Sequence, residues 1–328
     1  MSKIITVIGS LNTDLVTVTP RIPSGGETLT ANGFSTGAGG KGANQAVACA
    51  RMTRPNPATT SRADADITVK MVGAVGSDSF GTDIIAGLKK DYIDVSGVQL
   101  VDGLPTGVAV ILVEESTGEN RILLNPGANH TLRPDDFVSQ DSLGTPKPDL
   151  IILQLEIPIP TIHQVLRTAK EAGVPVLLNP APAVKLPEEI YQDLEHLILN
   201  ETEAAIMLGA DVTAFQDSNM DWKRVTDDFL RKGVKNVVVT LGAAGAFFSS
   251  KSGEGRLVPA AKLSKVVDTT AAGDTFIGAY AVLAVRARES GNAQWVEDAI
   301  RYACAAAGKT VEKAGAQSSI PWADEIGR

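Results

Sequence analysis

Apolar residues in this chain cluster in two alternating ways. Short runs with few polar interruptions, Ile4–Ile8, Val69–Val72, Leu150–Leu155, Val174–Leu178, Leu197–Leu199 and Val237–Leu241, read as strands. Continuous apolar runs mark strands covered on both faces, as in parallel sheets. Between them lie stretches with apolar residues at helical spacing: Ala43–Arg51, Phe80–Tyr92, Ile162–Ala172, Glu201–Leu208, Trp222–Lys232, Thr275–Ser290 and Ala293–Val311. The alternation predicts βαβ crossovers and a doubly wound, mostly parallel α/β sheet flanked by helices.

Two segments depart from this rhythm. Residues 11–36 alternate Thr and Val around a Pro and a Gly-Gly pair. Within 106–125, Val108–Val113 and Arg121–Leu124 flank the turn-like Glu115-Ser116-Thr117-Gly118-Glu119. Together these predict a small antiparallel sheet, placed as a lid over the carboxyl ends of the parallel strands, where α/β folds bind ligands. The polar stretch Arg54–Asp66 reads as a surface insertion without function, and Asp217–Asp221 as a shorter one.

The chain has 328 residues, 44% of them hydrophobic, enough for one large α/β domain or two smaller ones. With 30 Lys+Arg against 38 Asp+Glu the net charge is −8, which argues against a nucleic-acid or anionic-membrane binder. An anionic nucleotide would need a local cradle instead. The two cysteines, Cys49 and Cys304, sit in Ala-rich helical stretches and are expected to be buried free thiols in a reducing compartment. No apolar run is long enough to span a bilayer, and a strand-like run begins at Ile4, so a cytoplasmic location without a signal peptide is expected. The three histidines, His130, His163 and His196, lack zinc-ligand spacing.

The most informative run is Val267-Asp268-Thr269-Thr270-Ala271-Ala272-Gly273-Asp274-Thr275-Phe276. Small residues lead into a helix, so the N–H groups of Ala271, Ala272 and Gly273 fall at a positive helix end suited to phosphate. Two readings fit Asp274: a plain helix cap, or a base that takes a proton from an attacking hydroxyl. Gly37-Ala38-Gly39-Gly40-Lys41-Gly42 formally matches the dinucleotide fingerprint, but a polar stretch precedes it and the acidic partner would fall near Asp64. Gly42 after the lysine also excludes a P-loop. A flexible glycine loop remains, with Asn44 and Gln45 starting a helix.

Asn200-Glu201-Thr202-Glu203 fits a capping box, and equally a phosphate- and magnesium-facing strand end. Thr240-Leu241-Gly242-Ala243-Ala244-Gly245 fits a hairpin turn or a nucleotide-carrying turn. Asn12, Asp14 and Glu156 lie just past strand ends, where acids and amides suit sugar hydroxyls.

Taken in order, Gly9-Ser10-Leu11-Asn12-Thr13-Asp14, Gly39-Gly40-Lys41-Gly42-Ala43-Asn44-Gln45-Ala46, Asn179-Pro180-Ala181-Pro182, Asn200-Glu201-Thr202-Glu203 and Asp268-Thr269-Thr270-Ala271-Ala272-Gly273-Asp274 resemble the ribokinase (phosphofructokinase-B-like) family of sugar kinases, from Gly9 to the Gly315–Ser319 tail. The resemblance implies one Rossmann-like domain over 1–328, with a β-lid from about 11–36 and 103–126 that serves as a homodimer interface. It implies ATP-dependent phosphorylation of D-ribose at the 5-hydroxyl, with Mg²⁺ and an activating monovalent cation such as K⁺.

By the same resemblance Asp274 is the base, and Ala271, Ala272 and Gly273 form the anion hole. The sugar falls to Asn12, Asp14, Gly40, Lys41, Asn44 and Glu156. The nucleotide falls to Asn200, Thr240, Gly242, Gly245 and Gly273, with Glu203 in the magnesium and phosphate network. The K⁺ positions are Asp268, Thr270, Thr310, Lys313, Gly315 and Ser319. The chain departs from the family pattern at Cys304, where bacterial relatives carry His near the adenine, and at Ala271, often Gly. Other sugars, a silent sugar- or nucleotide-binding regulator and an NAD-dependent oxidoreductase are the competing readings. The intact Asp274 with Asn200 and Glu203 opposes the regulator, and the context of the glycine fingerprint opposes the oxidoreductase.

Overall fold

The apolar runs become central strands because each has two hydrophobic faces to fill. In the first run Ile5 and Val7 enter one core and Ile8 the opposite one. In Leu150–Leu153, Leu150 and Ile152 face the first core, Ile151 and Leu153 the second. Alternation of side chains along a strand requires this when helices cover both sides. The computed structural model describes residues 2–60, 65–217, 219–251, 253–288 and 294–327.

In chain order the elements are β1 (Lys3–Ile8), β2 (Asn12–Thr19), β3 (Gly33–Gly39), α1 (Lys41–Met52), β4 (Ile67–Gly76), α2 (Ser79–Lys90), β5 (Asp94–Val101), β6 (Gly107–Glu114), β7 (Asn120–Asn125), β8 (Leu150–Leu153), α3 (Ile159–Ala172), β9 (Val176–Leu178), β10 (His196–Asn200), α4 (Glu201–Leu208), α5 (Trp222–Lys232), β11 (Asn236–Thr240), β12 (Ala246–Ser250), β13 (Gly253–Val258), α6 (Ala272–Ala287) and α7 (Trp295–Val311). The main sheet has nine strands in the order β13-β12-β11-β10-β9-β8-β1-β4-β5. It is parallel from β11 to β5, while β12 and β13 add antiparallel at one edge. Helices α1, α2, α6 and α7 supply one core, and α3, α4 and α5 the other.

A second sheet of four strands, β3-β2-β6-β7, stands beside the first. It is not purely antiparallel as expected: β2 and β6 run parallel, with Asn12 opposite Gly107 and Thr19 opposite Glu114. The two strands come from distant parts of the chain, so no tight turn forces them to oppose.

The glycine stretch is also not a loop. Gly37, Ala38 and Gly39 lie in β3, opposite Asp14, Thr13 and Asn12, so cross-strand pairing orders them. Only Gly40 breaks away, at φ 84°, which turns the chain into α1. Helix α1 then crosses α6 closely. A side chain at Gly278 would place its Cβ 2.4 Å from that of Ala48. This contact seats the first turn of α1 against the first turn of α6, which positions the site below.

Strands β5, β12 and β13 lack the expected apolar signature, because Gly, Ser and charged residues interrupt them on half-covered or edge positions. The helix over Phe80–Tyr92 stops at Lys90, and Tyr92 takes a left-handed φ of 62°. The expected ends of two helices near Ser290 and Ala293 lie outside the described residues, as do Asp64 and part of the Arg54–Asp66 insertion. The described remainder is tied down. Asn56 N and Thr59 Oγ1 donate to the Asp324 carboxylate at 2.8 and 3.3 Å, and Arg286 forms two 2.7 Å bonds to Asp66. Cys49 and Cys304 are both free and buried.

Candidate functional site

Every parallel strand that borders the middle of the sheet ends in polar residues on one side. β1 leads into Gly9-Ser10-Leu11, β8 into Gln154-Leu155-Glu156, β9 into Asn179, β10 into Asn200 and β11 into Leu241-Gly242. Parallel strands present their carboxyl ends together, so one fold edge collects chemistry from five separate stretches.

On the sugar-side candidates, Glu156 Oε2 accepts from Ser10 Oγ at 2.5 Å and from the Lys41 main-chain N–H at 3.0 Å. Asn12 is buried, and its Oδ1 accepts from Asn129 Nδ2 at 2.7 Å. The same Asn129 amide brackets Leu11, accepting from its N–H at 2.9 Å and donating to its carbonyl at 3.1 Å. Asp14 projects from β2. Burial first, then the negative charges of Glu156 and Asp274, push its carboxyl up to about 7 against the pull of Lys41. Burial works to strip the proton from Lys41. Asp274, Glu156, Glu203 and Asp14 outweigh it and hold the ammonium above its ordinary range. Lys41 is therefore a fixed positive charge among four carboxyl groups.

Asp274 is buried in the first turn of α6. Its Oδ2 accepts from Asn44 Nδ2 at 3.0 Å and its Oδ1 from Gln45 Nε2 at 2.9 Å. The carboxylate does not cap the helix: the N-cap is Ala271, at φ 60°, with no side-chain bond. One expectation is narrowed here. The N–H of Ala272 is engaged by the Thr269 carbonyl at 3.2 Å. Those of Ala271 and Gly273 meet no acceptor among the described residues, so two of the three expected donors are open.

A cavity of about 230 Å³ runs along these groups. Lys41, Asn179, Asn200, Glu203, Thr240, Thr269, Ala271, Gly273 and Asp274 line it. Asn200 and Glu203 form a reciprocal capping box: Glu203 N donates to Asn200 Oδ1, and Asn200 N to Glu203 Oε2, both at 2.8 Å. Burial, with Asp274 nearby, holds the Glu203 carboxyl above its ordinary value despite the Asn200 amide and Lys41. Such a desolvated carboxylate on a cavity wall suits a hydrated divalent cation. Gly242–Ala244 form a single 3-10 turn between the antiparallel strands β11 and β12, so the hairpin turn is real, and Thr240 at its start lines the cavity. Cys304 sits on α7 in the core, its thiol pushed by burial up to about 11.

The cation candidates divide. Asp268 Oδ1 accepts from the N–H and Oγ1 of Thr270 at 2.9 and 2.6 Å, and its Oδ2 from Gly315 N at 2.9 Å. Burial opposes ionisation of Asp268, but these bonds outweigh it and hold the carboxyl below its usual range. Asp268, Thr270 and Gly315 are thus brought together. Thr310 instead turns its hydroxyl to Thr275 at 2.8 Å, and Lys313 its ammonium to Glu325 at 3.0 Å. Ser319 is buried, with Oγ on the Ala316 carbonyl at 2.7 Å. Arg51, at the far end of α1, anchors this tail through the carbonyls of Gln317 and Ile320, both at 2.7 Å. No group of three or more His, Cys, Asp or Glu side chains among the described residues forms a metal-binding cluster.

Ser10, Asn129, Gln45, Gln154 and Asn179 carry much of this network without having drawn a role from sequence. Gln154 had a signal: one amide inside the otherwise apolar run Leu150–Leu155. Asn129 had none, since it lies in an irregular segment.

The family described as pfkB family carbohydrate kinase matches residues 2–323. The chain is 45% identical over 320 residues to a ribokinase of Schizosaccharomyces pombe, covering 97% of this chain and 94% of that protein. It is 38% identical to a ribokinase of Haemophilus influenzae, over 99% of this chain and 97% of that one. Among solved structures, an Arabidopsis thaliana ribokinase complexed with ribose and ATP superposes with a TM-score of 0.84 at 31% identity, covering 99% of this chain and 98% of the other.

Proposed function

The chain belongs to the pfkB family of carbohydrate kinases, and we propose that it transfers the γ-phosphoryl group of ATP to the 5-hydroxyl of D-ribose. One observation carries this reading. Asp274 stands on the cavity wall beside two unpartnered main-chain donors at a helix N-terminus, with both carboxylate oxygens held by amides.

Asp274 accepts the proton of the attacking hydroxyl as its oxygen approaches phosphorus in line. The N–H groups of Ala271 and Gly273, reinforced by the helix dipole, hold charge on the transferring group. Lys41 lies between the sugar-side carboxylates and the cavity and adds a positive charge there. Asn12, Asp14, Gly40, Asn44 and Glu156 orient the sugar. Asn200, Thr240, Gly242 and Gly245 carry the nucleotide. Glu203 would hold Mg²⁺ through water, and the ion, when bound, neutralises phosphate charge. Asp268, with both oxygens already accepting hydrogen bonds, staples the segments 268–270 and 313–319. A K⁺ ion would be held by their main-chain carbonyls, not by the Thr310 hydroxyl or the Lys313 ammonium.

The second sheet is assigned as a lid on a single domain and as the surface for a homodimer. Phe34, Ile122 and Leu123 on it are 67%, 52% and 68% exposed, an apolar group unusual on a lone chain. Sedimentation at micromolar concentration checks this assignment, and a monomer there removes it.

The reaction is tested by ADP release from ATP and Mg²⁺ across a panel of pentoses, ketoses and nucleosides, with and without K⁺. Ribose is expected to give the highest kcat/KM. No sugar-dependent ADP release, or a clear preference for a nucleoside, overturns the reading.

A further inference from the structure

The amides behind Asp274 form a chain whose direction is set at its far end. The Ile198 carbonyl only accepts, so Asn179 Nδ2 donates to it, at 3.1 Å. Asn179 Oδ1 then accepts from Gln45 Nε2 at 3.1 Å, and the second hydrogen of the same nitrogen goes to Asp274 Oδ1 at 2.9 Å. With both its hydrogens committed, Gln45 has to accept at Oε1. Gln154 Nε2 supplies that hydrogen at 2.6 Å.

Gln45 and Gln154 are both fully buried, so solvent does not substitute for either partner. The Oε1 of Gln154 has no hydrogen-bond partner of its own. It is packed against Gly9, where an added Cβ would stand 2.0 Å away. A buried acceptor left unsatisfied is destabilising, so Gln154 is a poor choice for packing alone. Its useful atom is the one that donates to Gln45. If the Gln45 amide were reversed, its oxygen would face a carboxylate oxygen, and Asp274 would turn away from it.

We propose that Gln154 is a positioning residue for phosphoryl transfer: it locks the Gln45 amide in the orientation that donates to Asp274, which together with Asn44 fixes the plane of the carboxylate. The proposal rests on Asp274 being the base. It assigns a role in the rate of transfer to a residue that touches neither sugar nor nucleotide.

The test compares the full-length protein with Gln45→Met, Gln154→Met and the double variant, which keep side-chain length while removing the amides. Misplacing a reacting group by a fraction of its reach costs roughly 10–100-fold, so kcat is expected to fall by that factor in Gln45→Met and by about tenfold in Gln154→Met. Ribose affinity measured by calorimetry should stay within about threefold, because the sugar contacts are untouched. The double variant should be no slower than Gln45→Met, since Gln154 reaches Asp274 only through Gln45. Losses that multiply in the double variant, a Gln154→Met kcat within about twofold of the parent, or a loss confined to ribose affinity overturns the relay. Gln154→Glu keeps the shape while its ionised carboxylate offers Gln45 no hydrogen. It is expected to show the same kcat loss, and a parental kcat overturns the relay even where the methionine variant does not fold. Absence of ribose-dependent turnover in the parent protein is the distinct result that overturns the kinase reading itself.

Discussion

Helices α4 and α6 begin at the same cavity and treat their free main-chain donors in opposite ways. At α4, Asn200 and Glu203 satisfy each other's N–H groups reciprocally, and the helix end is closed by its own side chains. At α6, Ala271 offers no side chain, adopts a left-handed φ of 60°, and leaves its own N–H and that of Gly273 open. Both starts follow small polar sequences, and both have an acidic residue in the first turn. An anion is drawn to the end whose donors are unspent, while a closed end needs no ligand. The acid of α4 is spent partly on capping. The acid of α6 is held off the helix end by amides from α1 and is left free for chemistry.

The sharpest way to break this contrast is Asp274→Asn. Turnover is expected to fall roughly 10²–10⁴-fold with the melting temperature little changed, the usual loss for a general base. Near-parental kcat would leave α6 with no more chemical role than α4.

Next comes Gly273→Ala. No atom lies within 4 Å of the added Cβ, so the fold has room for it. The methyl would instead stand where an anion approaches the open donors. A drop in kcat/KM for ATP of about tenfold, comparable to weakening one oxyanion-type donor, is expected without loss of thermal stability. An unaffected enzyme would place the phosphate elsewhere.

The carboxyl cluster yields a pH test. Asp14 sits at about 7 in the folded protein, above its unfolded value, so the fold binds more protons than the unfolded chain between those two values. Its contribution to stability is fully present below the unfolded value and is lost as pH rises through about 7. Ribose binding, if it needs the ionised form, should run the other way, with the dissociation constant rising roughly tenfold for each pH unit below the folded value. Asp14→Asn should flatten both profiles, and calorimetric titrations from pH 5 to 8 check this. A pH-independent affinity in the parent would separate Asp14 from the sugar.

The smallest effect is expected at α4. Asn200→Ala opens the capping box and should cost about 1 kcal/mol of stability, a shift of a few degrees in Tm, with kcat nearly retained. A large kcat loss would show that α4 contributes more than a closed wall.

Much of the sheet was legible because burial on both faces leaves a strong signature. Ile4–Ile8 and Val237–Leu241 could not be solvent-facing strands, and α4 and α5 were read to the residue from apolar spacing and breakers. The same logic fails at β5 and β13, where one covered face or an edge position tolerates Gly, Ser and charge. It failed also at β3, because Gly37–Gly39 form a strand only through pairing with Asn12–Asp14. In the site, residue types at strand ends pointed to the right edge of the sheet. Ser10, Asn129 and Gln154 stayed unassigned because their partners lie 146, 118 and 109 residues away in sequence.

Local chemistry by itself determined which segments are strands and helices and which of their ends are polar, since periodicity, capping and turn preferences act over a few residues. Only the tertiary structure decided which polar ends meet, which helix end stays open and which amide faces Asp274. Hydrogen bonds are directional over about 3 Å, and the close crossing of α1 over α6 at Gly278 is what brings their first turns within that range.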